Sequence, residues 1–555
     1  MKHSIIYLII MSLFFSSCSF LDVDESIGKS PDYMYGYFDE LNRTVAHIYA
    51  QLPDDWGSVG GALREAATDN AIYQWDDCAI NDMYGEAWGP SNPVDDMWDH
   101  YYDAIRAVNI YYRDFDSSRF DRFEHTHDIG EQIKVATNYQ YELHALRAYF
   151  YFELFKRYRN IPLIKEACKQ EEINSFKQAS VDEMVSYMVA ECDSAIVHLP
   201  ATYDGFYLGS ETGRVTKGAA MALKSRILLY AASPLFNEGV DVDEKYHRAA
   251  LAAKELIDAS MAGNWYSVDP KVKMWGTGNE MLSSRQLILE KRAGNSNFFE
   301  KNNLPIGFEG GRTGNCPTQN LVDAFLMADG RIFDWNNPVQ VRKIYQDRDP
   351  RLYESVLTNG SEWQGTTIET YDYGRHGYPA YGASRTGYYL KKYLDESVVL
   401  SPINPLSKPH HYVLFRYSEI LLNYAEALSE WKDPSYTDAD FTLSATEALS
   451  MVRNRVGMPA AAPLGKDDFR LLYRNERRAE LAFEDHRFWD IRRWMIGPET
   501  TSIYGVRIVK TEDGNLEYTR QLIQERLWND RMYLYPISQK EMLSGAGWQQ
   551  NPGWN

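Results

Sequence analysis

A chain of 555 residues with 44% hydrophobic and 25% charged residues can bury a large core and has the composition of a body that sits in water. Its formal charge of −20 sets up a surface field that repels phosphate backbones and anionic lipid, which argues against nucleic acid as a partner. Neutral ligands are the class that this charge leaves open, and 40 Tyr and 14 Trp supply rings with an apolar face and a polar edge to grip them.

At the start of the chain, Lys2 precedes an apolar stretch from Ile5 to Phe15, the length of a signal-peptide core and too short to span a bilayer. It runs into Phe15-Ser16-Ser17-Cys18, small residues before a cysteine, and resembles the lipobox at which bacterial lipoproteins are cleaved and acylated. Residues 1–17 are therefore expected to be a signal peptide, Cys18 the lipidated residue and 18–31 a tether. Two or three acyl chains anchor firmly where one holds only marginally. Asp22, Asp24 and Glu25 follow at once, resembling the surface-export signal of such lipoproteins. The remaining cysteines, Cys78, Cys168, Cys192 and Cys316, contain no C-x-x-C pair and suggest neither a zinc site nor a thioredoxin-like motif.

Helical steps of three and four begin with Leu41, Val45, Ile48 and Leu52, and resume through Trp98, Tyr101, Ile105, Val108 and Tyr112. The loop between them carries Trp75 and Trp88. A pair follows, with Ala136, Tyr139, Leu143, Leu146, Phe150 and Leu154 on one face of the first helix and Val181, Val185, Met188 and Cys192 on the second, where Ser180 and Glu183 form a capping box. The next pair opens with a helix over residues 217–233 rich in Gly and Ala, which permits close approach, and ends at Pro234; its mate carries Tyr246, Ala250, Ala253 and Ile257. A third pair runs through Tyr417, Ile420, Tyr424, Ala427 and Trp431 and then Leu449, Val452 and Val456, before a long charged helix predicted over residues 467–494. Units that cannot bury their faces alone stack into a superhelix. The helical scaffold thus covers about 32–263 and 410–555 of a single domain over 32–555. Between about 264 and 409 the period fails, apart from a short helix predicted over residues 319–327. Irregular chain of that length inside a globular protein usually carries function.

Five segments, taken together, resemble the signature blocks of the SusD/RagB family of outer-membrane nutrient-binding lipoproteins. Glu142, Leu146-Arg147-Ala148 and Tyr151-Phe152 match E-x-x-x-L-R-A-x-x-Y-F. Gly213-Arg214-Val215-Thr216-Lys217 with Ser233-Pro234-Leu235-Phe236 is the second block, and Arg416-Tyr417-Ser418-Glu419 running to Ala425-Glu426-Ala427 the third. Asn475-Glu476-Arg477-Arg478-Ala479-Glu480 with Phe488-Trp489-Asp490-Ile491-Arg492-Arg493 is the fourth, and Leu534-Tyr535-Pro536-Ile537 with Asn551-Pro552-Gly553-Trp554 the fifth. Two positions depart from the pattern: Arg159 and Asp485, both at helix ends, stand where the family often has glycine.

The resemblance implies a mainly α protein whose four tetratricopeptide-like repeats form a right-handed superhelix packing on a SusC-like TonB-dependent transporter, with a large loop-rich face that binds ligand. It implies a cell-surface glycan-binding lipoprotein that captures oligo- or polysaccharide and delivers it to that transporter; a same-family peptide binder and an all-helical glycoside hydrolase are the alternatives. The family motifs are structural, and Arg147, Glu153, Arg157, Glu426, Arg477 and Arg478 fall at spacings suited to helix ion pairs.

The chain has no HExxH, G-x-S-x-G or Walker loop, and Gly276-Thr277-Gly278 lacks the third glycine of a dinucleotide turn. No catalytic residue, metal or cofactor is expected, and His125, His127, His410 and His411 are expected to face solvent. A sugar ring offers C–H bonds to an aromatic face and hydroxyls to short polar side chains. The candidate glycan contacts are Trp75, Trp88, Trp363, Tyr378 and Tyr381 as platforms, with Asn92 and Arg385 as hydrogen-bond partners.

Overall fold

Apolar steps of three and four become helices, and a side-chain cap closes the first turn at Ser180, Thr216 and Ser444. The computed structural model describes residues 30–554 apart from 124, 126, 174, 205–212, 269–273, 276–278 and 546. The signal segment, Cys18 and all but the last two tether positions lie outside the described residues. Helix α1 (Phe38–Tyr49) buries Leu41, Val45 and Ile48, and α2 (Trp98–Asp114) buries Trp98, Tyr101, Ile105 and Val108. Helix α3 (Ile129–Tyr158) packs on α4 (Val181–His198), whose start is fixed by the expected box: Ser180 Oγ accepts from the Glu183 N–H at 3.3 Å and Glu183 Oε2 from the Ser180 N–H at 2.8 Å. Next come α5 (Lys217–Ala232), α6 (Val242–Gly263), α7 (Tyr417–Trp431), α8 (Ala445–Arg455), α9 (Lys466–Glu480) and α10 (Arg487–Arg493). Helix α4 packs on α5, α5 on α6, α6 on α7, and α7 on both α8 and α9. The row is therefore continuous across the long insertion between α6 and α7. No helix among the described residues is long and apolar enough to cross a membrane.

The long helix predicted over residues 467–494 is in fact two, α9 and α10. Phe483 and Asp485 adopt φ of 62° and 60°, a left-handed conformation in which an α-helix of L residues cannot continue. Side chains take the carbonyls that the break releases: Arg416 Nη2 donates to Glu480 O at 2.8 Å, Lys392 Nζ to Ala482 O at 2.7 Å and Tyr393 OH to Phe483 O at 3.0 Å. Arg159, after the end of α3, has φ 63°. Both departures from a family glycine are thus left-handed positions, where glycine is unstrained and another residue costs about 1 kcal/mol. At Asp485 the Arg64 guanidinium offsets this with two bonds of 3.0 and 2.8 Å.

Residues 145–158 of α3 are buried on every side rather than along one face. Their charges must be paired, and here, as among the other buried charges of the helices, the pairs join different elements as well as one helix turn. Glu153 and Arg157 meet at i,i+4 and 2.7 Å, but Arg147 reaches Glu191 at 2.7 Å, Arg493 reaches Glu426 at 2.5 Å and Arg477 reaches Asp490 at 2.9 Å. Burial alone would raise the Asp69 carboxyl; Arg478 and Arg487, at 3.0 and 2.9 Å, hold it down at about 2. Burial opposes Lys156 and Arg157 in the same way at Glu153, also about 2. Burial presses His486 well below its usual 6.5, with Arg477 adding to the effect.

These shifts have one sign. The unfolded chain takes up a proton at His486 near pH 6.5 and at the carboxylates near pH 4, while the folded chain resists each. Stability from His486 is present above about 6.5 and lost below it, and that from Asp69 and Glu153 is lost between about 4 and 2. Above about pH 4 the buried Glu65, held up at about 7, opposes His486, so the fall is expected between about pH 4 and pH 2, where the thermal midpoint should drop in differential scanning calorimetry. A midpoint that holds or rises as pH drops from about 4 to 2 would contradict this.

The insertion is more ordered than its composition suggests. Strand β1 (Ala71–Tyr73) pairs with β3 (Asn315–Pro317), β2 (Leu287–Lys291) with β6 (Tyr412–Arg416), and β4 (Val356–Leu357) with β5 (Tyr389–Leu390), all antiparallel. The predicted short helix is present over Gln319–Ala324. An unforeseen hairpin, β7 (Ser502–Lys510) and β8 (Leu516–Glu525), follows α10 and docks on the insertion. Every sheet among the described residues has two strands.

Candidate ligand-binding site

Strand β1 delivers Trp75 to the end of a sheet whose other strand, β3, follows Thr313. The indole Nε1 donates to Thr313 O at 2.8 Å and Asn81 Nδ2 donates to Trp75 O at 3.0 Å, so the ring is fixed in position. Tyr381 lies against it at 5.6 Å between centroids and is 88% exposed. Arg312 approaches the indole at 5.6 Å. The close approach depends on Gly382, at φ +78°: a Cβ there would sit 3.1 Å from Ile306 Cγ2 and 3.4 Å from Trp75 Cη2.

Arg385 ties this loop to β1. Its backbone N–H donates to Gln74 Oε1 at 3.1 Å, Nη2 to Tyr73 O at 2.8 Å, and Nη1 to the exposed Asp76 at 3.2 Å. The other anchor is His376, whose Nδ1 accepts from the Glu369 N–H at 3.1 Å while its backbone N–H donates to Glu369 O at 2.9 Å. Burial lowers the His376 pKa, with Arg375 adding to it, which keeps the ring neutral and able to accept.

The hairpin closes the far side. Val506 N–H donates to Thr386 O at 2.9 Å and Asp372 N–H to Ile508 O at 2.8 Å, and Arg507 Nε donates to Asp372 Oδ2 at 2.9 Å. Gly387, at φ +81°, makes this contact possible, since a Cβ would stand 2.5 Å from Val506 O. Between loop and hairpin runs an open groove of about 450 Å³ whose walls include Tyr378, Arg385, Asp372, Arg507 and Gln521. Tyr378 is 67% exposed and Tyr373, four positions from Gly377 in the same loop, is 83% exposed.

Of the seven expected contacts, Tyr378 and Arg385 line the groove, and Trp75 and Tyr381 form a ring pair on the same loop and the strand to which Arg385 ties it. The other three join neither. Trp88 is 1% exposed, sealed edge-on between Tyr535 at 5.0 Å and Trp554 at 5.2 Å, and has no face left for a ligand. Trp363 is also buried, and belongs to a different concavity. Asn92 closes its own turn, with Nδ2 donating to Asp82 Oδ2 at 3.0 Å and Ala87 O at 3.1 Å. His410 and His411 are buried, not solvent-facing: His410 Nε2 lies 2.9 Å from Glu300 Oε1, and His411 Nδ1 accepts from the Ala293 N–H at 3.2 Å. Among the described residues no three His, Cys, Asp or Glu side chains converge as metal ligands would, and Cys78, Cys168, Cys192 and Cys316 form no disulfide. Gly276-Thr277-Gly278 lies outside the described residues.

Two family models match the chain: the SusD family over residues 289–554, and a SusD-like family described as starch-binding and associating with the outer membrane over residues 19–229. The chain belongs to the SusD/RagB family. A SusD-like protein from Bacteroides fragilis is 27% identical, with a TM-score of 0.75 over 94% of this chain and 98% of that one. A SusD-like carbohydrate binding protein from the same species is 22% identical, with a TM-score of 0.74 over 92% and 99%. Among sequence relatives, a SusD-like protein of Formosa agariphila is 21% identical over 533 residues, 89% of this chain and 90% of its own. The SusD family is one of binding proteins and is non-catalytic. Within that frame the missed part of the site is the hairpin, which contributes Arg507 and Gln521 to the groove. The available signal was Asp513-Gly514, a turn dipeptide between two extended runs, with Gly514 at φ +80°.

Proposed function

We propose that this protein is a lipid-anchored, cell-surface glycan-binding protein that captures oligo- or polysaccharide and delivers it to a SusC-like TonB-dependent transporter. The observation that carries the glycan reading is the pairing of a fixed indole, Trp75, with an 88% exposed Tyr381 at the edge of an open groove walled by Arg385, Asp372 and Gln521. Rings meet the C–H faces of a sugar, and the guanidinium, carboxylate and amide meet its hydroxyls. Each ring contact contributes about 1 kcal/mol, so three rings and a similar polar contribution give millimolar to high-micromolar dissociation. Weak capture suits release into a transporter. The starch-binding description of the matched family supports the same class of ligand.

In this reading the row from α3 to α9 is the set of tetratricopeptide-like units, wound as a right-handed superhelix, that packs on the barrel, and Cys18 holds the assembly to the outer membrane. Gentle detergent extraction of outer membranes, followed by affinity capture of this chain, is expected to bring down a large TonB-dependent barrel, and intact mass of the captured chain is expected to begin at an acylated Cys18. Recovery of an unacylated chain from the periplasm, without a barrel, would overturn the delivery role.

A further inference from the structure

The charge of the chain is not spread evenly. At −20 overall the surface repels anions, yet the groove between loop and hairpin is lined by two guanidinia, Arg385 and Arg507, against one carboxylate among its described lining residues, Asp372. Both arginines are open to solvent, with side chains 41% and 59% exposed. A cleft lined by a surplus of one sign focuses the field, so this one favours anions against the sign of the whole surface.

Neither guanidinium is saturated by its partners. Arg507 directs Nε and Nη2 at a single oxygen, Asp372 Oδ2, both at 2.9 Å, which occupies two of the five N–H donors that an arginine carries. Arg385 donates through Nη2 to Tyr73 O at 2.8 Å and through Nη1 to Asp76 at 3.2 Å. The Asp76 side chain is 90% exposed, and an ion pair in that setting contributes little, so an arriving anion displaces it readily. The groove also adjoins the ring pair. Ala380 and Ala383 line it, while Tyr381 and Gly382, the two residues between them, approach Trp75. Consecutive residues of one loop thus serve both the rings and the groove.

We propose that the groove is an anion subsite, which takes the carboxylate of a uronic acid or the sulfate ester of a sulfated sugar as one residue of the glycan that lies on Trp75 and Tyr381. The proposal rests on the glycan reading above and narrows its ligand class from glycan in general to acidic glycan. A planar guanidinium meets an oxyanion with two parallel N–H···O bonds, and such charge-assisted bonds are about twice as strong as those to a neutral hydroxyl. Gln521 and Tyr378, on the groove wall, remain for the hydroxyls of the same sugar.

Isothermal titration of the full chain with two pairs of sugars, each pair alike in its rings and different in charge, tests this. One pair is hexagalacturonate and its methyl ester, the other sulfated and unsulfated laminarihexaose, so the two arms distinguish carboxylate from sulfate. The expected result is that in at least one pair the acidic member binds about tenfold tighter at low salt, one charge-assisted contact replacing a neutral one, and that the gap narrows in high salt. Arg507→Gln should cut this acidic-over-neutral ratio about fivefold, and Asp372→Asn, which removes the competing carboxylate, should raise it above the wild-type value. Movement of the ratio in opposite directions separates an anion contact from a general loosening of the fold, which would weaken both members of a pair in either variant. A ratio of one or less in both pairs, with the neutral members bound, overturns the anion subsite and leaves the glycan reading standing. An acidic preference that neither variant changes overturns its placement in this groove. Binding of none of the four sugars overturns both readings.

Discussion

Alanine at both Trp75 and Tyr381 is expected to weaken binding of a neutral oligosaccharide about thirtyfold, because two ring contacts of about 1 kcal/mol each are removed. The cost to the fold should be unequal. Tyr381 is 88% exposed, so Tyr381→Ala alone should leave the thermal midpoint where it was and lower affinity about fivefold. Trp75 is partly buried and bonded to Thr313 O, so Trp75→Ala should lower both. Isothermal titration and calorimetric midpoints separate the two effects. Unchanged affinity in the double variant, with an intact fold, would remove these rings from the site.

Glu480→Ala is expected to destabilise the protein by about 3–5 kcal/mol, the range for stripping a buried ion cluster of one partner. Glu480 accepts from Arg416 at 2.6 Å, Arg455 at 2.7 Å and Arg351 at 2.9 Å, and burial, which alone would raise its pKa, is outweighed by those guanidinia, which press it well below 4.5. The cluster joins α9 to β6 and to Arg351 in the insertion, so its loss loosens the attachment of the insertion to the helices. The contrasting pair is Asp329 with Arg331, which is solvent-exposed, and Asp329→Ala should leave the urea midpoint unmoved. Equal midpoints for the two variants would contradict this assignment of where the charge pairs matter.

What the sequence made legible follows the physics that is local. Three-four spacing placed α1 to α8, joined at α4 by the box of Ser180 with Glu183 and at α5 by its small residues, because these signals act within a turn or two of themselves. The break between α9 and α10 was not legible, since Phe483 and Asp485 are held left-handed by Arg416, Lys392, Tyr393 and Arg64, all distant in sequence. The hairpin escaped for a different reason: β8 is exposed or half-exposed along its whole length, so its side chains carry no alternation of burial for periodicity to report. Trp75 and Trp88 sit in one loop with the same chemistry. Tyr535 and Trp554, at the far end of the chain, decide that Trp88 is packing while Trp75 stays at the rim.

A crystal structure of the chain soaked with an oligosaccharide that binds in solution tests the central claim most directly. The account requires a pyranose ring lying against the Trp75 and Tyr381 faces, with hydroxyls within hydrogen-bond distance of Arg385 and the adjoining groove. Sugar bound elsewhere, with that rim bare at saturating ligand, would contradict it.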